Sequence, residues 1–336
     1  MTSCSVLITA GSRRVSLVQA FRQALHALGL PGRVVVADVN PLSPAVHLAD
    51  RAYRVPISSD PGYLDEIAGI CATEGVRLIV PTIDDELPVF GAARRTFASR
   101  GVVVACSPEP VNSLCNDKYA TCVHLRAAGI SAARSLLPSE IPPDQPLPLF
   151  IKPRGGRGAV GAFAVHSRRE LEFFLEYVPD PIVQEYLEGP EFTIDVLCDL
   201  RGRPLVIVPR ERVVVRAGVI DRGRTVNDPA LIDLARAACA AIPFHGPLNI
   251  QCRMRGDEAV IFEINPRFSG GISLTIRAGA DIPRMLIRLA QGLPVDPQIG
   301  VFQDGLWMTS YETSVFLEAH EVSRGFEASR RLIEVA

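Results

Sequence analysis

The sequence predicts a chain of two characters, α/β over its first ~115 residues and α+β beyond them. Two observations carry this. In the first stretch, short apolar runs alternate with helical patterns, the signature of a parallel sheet covered by helices on both faces. From residue 149 onward the order changes to strand, glycine-rich turn, strand, helix and strand, and further strands follow.

The elements are predicted in order. Ser5 to Thr9, Arg33 to Ala37, Leu78 to Pro81 and Val102 to Ala105 are short apolar runs expected as buried parallel strands. Between the first two, Val15, Val18, Phe21, Leu25 and Leu28 recur at spacings of three and four and predict one helical stripe. Residues 138–148, with five prolines among eleven residues, predict a loop. Strands are then expected at 149–152, 162–166 and 182–186, with a helix over 167–177. Further strands are expected at 192–198, 204–209, 248–253 and 259–264, with helices near 229–241 and 282–291. The division read from these patterns is 1–115, 116–187 and 188–336.

Composition bounds the function. The 336 residues include 35 basic and 37 acidic side chains, a formal net charge of −2, so no overall field recruits nucleic acid or an anionic membrane. No apolar stretch approaches the ~20 residues that cross a bilayer, and Met1 to Ala10 lacks the basic start of a signal peptide. A cytoplasmic protein is expected. The eight cysteines show no CxxC spacing and the six histidines no HxxxH pair, so zinc chemistry is not expected and the thiols read as small core residues.

Four segments carry chemistry. Residues 153–161, Pro-Arg-Gly-Gly-Arg-Gly-Ala-Val-Gly, match GxGxxG at Gly156, Gly158 and Gly161. A dinucleotide fingerprint needs a helix after its glycines, whereas Ala162 to His166 reads as a strand. The glycines, Gly155 included, therefore predict a loop between antiparallel strands whose amides can close over phosphate oxygens. Lys152, in the apolar strand just before it, must snorkel or meet an anion. Lys118 sits at a predicted helix start, where anions are favoured. Gln184-Glu185-Tyr186-Leu187 and Glu191 lie on a strand, a turn and a second strand, an extended segment able to meet an adenine edge with its main chain.

The fourth segment is Phe262-Glu263-Ile264-Asn265-Pro266-Arg267. Glu263 and Asn265 stand two apart on a strand, share one face and can coordinate one or two Mg²⁺ ions. Gln251, on the preceding strand, can lie beside them, and Arg267 can supply charge to a transferred phosphoryl group. An acid, an amide and an arginine on one face would be costly as core.

In this order the motifs resemble the ATP-grasp superfamily, especially the branch of carbamoyl-phosphate synthase large-subunit-like proteins and stand-alone carboxylate-amine ligases. The resemblance covers most of the chain and implies an ATP-grasp fold behind an N-terminal Rossmann-like pre-ATP-grasp domain. It implies that Lys118 and Lys152 contact ATP phosphates, that the glycine loop is a lid, and that Gln184, Glu185, Tyr186 and Leu187 grip adenine with Glu191 on ribose. Glu263 and Asn265, with Gln251, would hold Mg²⁺ or Mn²⁺, and Arg267 and Arg210 would act on the phosphoryl group. Gln184 stands where many members have an acid, so its amide oxygen would meet the adenine amino group. Arg216 or Arg277 would hold the substrate carboxylate, and Asp84, Asp85 and Glu86, after an N-terminal strand, would orient an amine.

The activity implied is amide formation through an acyl phosphate from small-molecule carboxylate and amine substrates, with a homodimer allowed. A rival reading makes the carboxylate bicarbonate or carbamate; one ATP-grasp unit here, against two in the carbamoyl-phosphate synthase large subunit, ranks it lower. A module that binds ATP without turnover is disfavoured by the intact Glu263, Asn265 and Arg267. An NAD(P)-dependent oxidoreductase would need a fingerprint at the first strand-to-helix turn, which Gly11 alone does not make.

Overall fold

The computed structural model describes residues 3–156, 158, 160–216, 218–320 and 322; Arg157 and Ala159 of the glycine-rich run fall outside the described residues. The chain divides into two compact units. One takes the segment up to Glu109 together with Asp281–Asp296, and the other takes Pro110–Ala280 with Pro297–Ser310.

The first unit begins β1 (Ser5–Thr9), α1 (Val15–Ala27), β2 (Val34–Asp38), α2 (Pro44–Leu48), β3 (Arg51–Arg54), α3 (Tyr63–Glu74), β4 (Val76–Pro81), α4 (Leu87–Ser99) and β5 (Val103–Val104). Its sheet is parallel, in the order β3-β2-β1-β4-β5. Every residue of β1 and β2 is buried, as strands covered on both faces must be. The predicted stripe of α1 is real, centred on Leu17, Val18, Phe21, Ala24 and Leu25. Sequence order reverses direction between β1 and β4, so the carboxyl ends of these strands form the switch point where open α/β sheets collect ligands.

The second unit opens within α5 (Glu109–Asn116) and continues with α6 (Lys118–Ala127), β6 (Ser135–Leu136), β7 (Leu149–Pro153), β8 (Phe163–Val165), α7 (Arg168–Tyr177) and β9 (Pro181–Glu185). The strands pair antiparallel in the order β6-β9-β7-β8, so the glycine-rich run does join two antiparallel strands. A capping box starts α7: Ser167 Oγ accepts from Glu170 N–H while the Glu170 carboxylate accepts from Ser167 N–H. Phe163 stacks on Phe174 at 4.2 Å between centroids and holds α7 to the sheet.

There follow β10 (Glu191–Cys198), β11 (Pro204–Arg216), β12 (Val219–Thr225), α8 (Pro229–Ala241), β13 (Gly246–Arg255), β14 (Glu258–Asn265) and α9 (Ile272–Arg277). With β15 (Trp307–Thr309) they make an antiparallel sheet ordered β14-β13-β10-β11-β12-β15. Phe192, Ile194 and Val196 of β10 and Leu248, Ile250 and Cys252 of β13 join Leu231, Ala235 and Ala238 of α8 in one apolar core. Strand alternation sends their polar neighbours to the opposite face. The chain then returns to the first unit with α10 (Ile282–Ala290), which packs on α1 and β4.

Candidate functional site

The opposite face of that second sheet is a polar ladder. Glu263 of β14 pairs with Gln251 of β13, Gln251 with Thr193 of β10, and Thr193 with Arg210 of β11. Two residues along, the same strands present Asn265, Asn249 and Asp195. In the other direction Glu191 stands against Arg253. A period of two on four adjacent strands therefore collects acids, amides and guanidinium groups on one surface.

The two predicted lysines lie in this unit. Asp117 caps α6 by accepting from Ala120 N–H at 2.9 Å, which places Lys118 in the first turn. Burial would raise the Asp117 carboxyl, but the hydrogen bonds from Arg154 and Ala120 outweigh it and hold it below the usual carboxylate range. Lys118 Nζ donates to Gly156 O at 2.7 Å, so it touches the glycine loop directly. Lys152 Nζ donates to Phe262 O at 3.2 Å and lies 5.1 Å from the Phe262 ring centroid. Burial pushes the Lys152 ammonium below its ordinary range, and the negative charge of Glu263 opposes that shift. Gly156, Gly158 and Gly161 all have φ between 73° and 88°, a conformation that costs other residues strain. Across the loop, Gly158 meets Gly218 of the β11–β12 turn: a methyl on Gly218 would sit 3.1 Å from the Gly158 carbonyl carbon.

The segment after β9 is anchored from both sides. Gln184 is buried, and its Nε2 donates to Ser135 Oγ at 2.9 Å and to Cys122 Sγ at 3.4 Å, leaving the amide oxygen as the end that can meet a donor. Glu185 accepts from Arg134 N–H at 2.7 Å and from Arg255 at 2.8 Å. The Tyr186 ring makes an edge contact with His166, and the Leu187 and Gly189 carbonyls both accept from Arg253. Glu191 is held between Arg212 at 2.7 Å and Arg253 at 2.6 Å.

At the other end of the ladder, the Glu263 carboxylate and Gln251 amide face each other across adjacent strands, with no side-chain hydrogen bond among the described residues. The Asn265 oxygen accepts from Arg267 at 3.2 Å, and Asn265 Nδ2 donates to Asn249 at 3.4 Å. Oxygen donors of this kind suit a hard cation that keeps waters and shares phosphate ligands. Arg210 is wholly buried: Nε donates to Asp195 at 2.7 Å and NH2 to Ser269 Oγ at 2.8 Å. Arg210 NH1 and the second Asp195 oxygen have no hydrogen-bond partner among the described residues.

The remaining predicted residues are placed differently. Arg216 is exposed at the end of β11, 3.8 Å from Asp221, and Arg277 is exposed at the last position of α9. Asp84, Asp85 and Glu86 belong to the first unit and form a short 3₁₀ turn after β4. Asp85 is exposed, whereas Glu86 is buried and accepts from Thr9 Oγ1 at 2.8 Å and Tyr63 OH at 2.6 Å. Its carboxylate thus faces inward, tying the switch-point strands together. Desolvation pushes the Glu86 carboxyl up to about 7.

The sequence assigns no role to Arg212, Asp195, Arg253 or Ser269, although they complete the ladder. The signal was present: Glu191, Thr193 and Asp195 alternate with Phe192, Ile194 and Val196, as Asn249, Gln251 and Arg253 alternate with Leu248, Ile250 and Cys252. Arg212 donates to Gly218 O at 2.8 Å as well as pairing with Glu191. It thereby links the segment after β9 to the turn that touches the glycine loop. Desolvation lowers the Arg212 guanidinium, with Glu191 opposing.

Comparison with known proteins finds similarity in both units. Residues 177–314 match the family described as ATP-grasp in the biosynthetic pathway with Ter operon, and residues 6–105 match the PylC-like N-terminal domain. The chain is 24% identical over 294 residues to the carbamoyl phosphate synthase large chain of Thermus thermophilus, covering 80% of this chain and 28% of that protein. It is 26% identical over 155 residues to the 3-methyl-D-ornithine–L-lysine ligase of Methanosarcina mazei, covering 45% of this chain and 40% of that one. The chain thus spans less than half the length of either relative. Among solved structures, the biotin carboxylase of Campylobacter jejuni in its β-γ-ATP complex shares the fold with a TM-score of 0.72 at 15% identity, over 90% of this chain and 74% of that chain. The chain thus carries an ATP-grasp match over residues 177–314 behind a PylC-like N-terminal domain match over residues 6–105.

Proposed function

We propose that the chain is an ATP-dependent carboxylate-amine ligase that forms an acyl phosphate and passes it to an amine, releasing ADP and phosphate. The observation that carries this reading is the Glu263–Gln251 pair: an acid and an amide, uncommitted to protein donors, in a unit that also holds Lys118, Lys152 and Arg267. Phosphoryl transfer needs positioning and charge neutralisation more than covalent help, and these are the groups that supply it.

In this reading Lys118 exchanges its bond to Gly156 for a phosphate oxygen, and Lys152 binds a second one. Gln184 accepts from the adenine amino group, and the main chain of Glu185, Tyr186 and Leu187 borders the base. Glu191 retains spare lone pairs beyond its two arginines and accepts from a ribose hydroxyl. Arg267 holds the transferring group, and Arg210, through its unpartnered NH1, adds charge from below. Arg216 or Arg277 meets the substrate carboxylate. Glu263, Gln251 and Asn265 would hold one or two Mg²⁺ or Mn²⁺ ions, which when bound neutralise phosphate charge. The glycine loop excludes water from the acyl phosphate.

The test is an ADP-release screen over amino acids and small acids, with mass spectrometry of the products. An amide product, lost in Glu263→Ala, is expected. Unchanged turnover in Glu263→Ala would sink the assignment of the site. ADP formation with bicarbonate alone would favour the second reading, a carbamoyl-phosphate-synthase-like activity, which the similarity to the Thermus protein over 80% of the chain supports.

A further inference from the structure

The first unit contains a cavity of about 530 Å³ away from its switch point, beside the amino ends of its strands. Leu28 and Leu30, which follow α1, and Leu293, which follows α10, give it apolar walls. Two arginines line it, Arg77 at the start of β4 and Arg288 in the last turn of α10, and no acidic residue does.

Both guanidinium groups are set in place by main chain alone. Arg77 NH1 donates to Gly101 O at 3.3 Å, and Arg288 NH2 donates to Pro294 O at 3.0 Å. Arg77 lies so closely across Gly101, whose φ is 73°, that a methyl there would stand 2.6 Å from NH1. Neither forms an ion pair among the described residues; Arg288 is half-buried and Arg77 exposed. Each guanidinium carries five N–H donors in a planar fork, so most of the donors remain for a ligand. Two cations lining one cavity repel each other unless an anion joins them. The size lies within the range of small-molecule sites, and apolar walls with a few placed polar groups are their usual composition.

We propose that this cavity is a binding site for an amphipathic anion, a carboxylate or phosphate monoester on an apolar body, held at its head by Arg77 and Arg288 and at its tail by the three leucines. The site is independent of the proposed ligase chemistry, and so is its test. Titration calorimetry of the full chain with hexanoate and with hexyl phosphate should show saturable binding for at least one of them. The double variant Arg77→Gln, Arg288→Gln should bind it at least tenfold more weakly while its circular dichroism spectrum is unchanged. Tighter hexanoate assigns the head as a carboxylate, and tighter hexyl phosphate as a phosphate monoester. No saturable binding, equal binding by the variant, or equal binding of hexylammonium or of inorganic phosphate would overturn the proposal.

Discussion

Glu86 shows how one side chain links fold to pH. Burial raises its carboxyl, while hydrogen bonds donated by Tyr63 and Thr9 only partly offset that cost. Burial, reinforced by the Glu86 charge, also pushes the Tyr63 phenol up, so Tyr63 stays protonated as the donor. The native carboxyl titrates near 7 against about 4.5 unfolded, so between those values the unfolded state has lost a proton that the native state keeps. Stability from this group is therefore complete below about pH 4.5 and falls as pH rises to about 7, by ~1.4 kcal/mol per pH unit at most. Glu86→Gln keeps the size and removes the titration. Urea unfolding should show the variant gaining about 1–3 kcal/mol on the wild type between pH 5 and pH 8; a constant difference would refute the coupling. Lys152 carries the opposite burden, a cation buried for a ligand. Lys152→Met should raise apo stability by about 1 kcal/mol, as replacing buried charge often does, and abolish ADP release. Loss of both stability and activity would show that the lysine is structural.

Glycines separate structural necessity from tolerance along the elements. A methyl on Gly271, which caps α9, would stand 2.2 Å from Ile220 Cγ2 and 2.7 Å from Arg210 NH1. Gly271→Ala should therefore cost about 1–3 kcal/mol, as overpacking does, and disturb Arg210. Gly69, inside α3, has nothing within 4 Å of the added methyl, so Gly69→Ala should gain about 0.5–1 kcal/mol from helix propensity. Thermal unfolding of the two variants reads the contrast; equal shifts would defeat it. The sequence made elements with strong local signals legible: the apolar runs of β1 and β4, the stripe of α1, the capped α7 and the glycine run between β7 and β8. It left α3 and α4 unread, because their burial is shared with strands distant in sequence. It also left the strand β12 unread, since Arg222 and Arg224 look like a solvated charge run. In the site, isolated residues in apolar strands were legible. Arg212 and Asp195 were not, because their meaning lies in cross-strand partners.

The chain as a whole is not laid down in sequence order. Asp281–Asp296 belongs with the N-terminal segment, although about 170 residues of the other unit intervene. The reason is apolar: Ile282, Pro283, Met285, Leu286 and Ile287 of α10 are all buried, in a unit where α10 packs on α1 and β4. Nothing local in those nine residues says which sheet they cover, since an amphipathic helix specifies a face and not a partner. Burying five such side chains contributes on the order of 8–12 kcal/mol at most, comparable with the whole stability of a domain. A fragment ending at Glu109 would expose the apolar surfaces of α1 and β4 that α10 covers. It should therefore fail to unfold cooperatively in urea, or do so at a much lower midpoint than the same fragment joined to residues 281–296 by a flexible linker. Adding the helix back with Leu286→Asp and Ile287→Asp should not rescue it, because a linker of that length remains while the apolar face is gone. If the bare fragment unfolds with the same midpoint as the joined one, the N-terminal sheet is self-sufficient and the return of the chain is a tether rather than a part of its core.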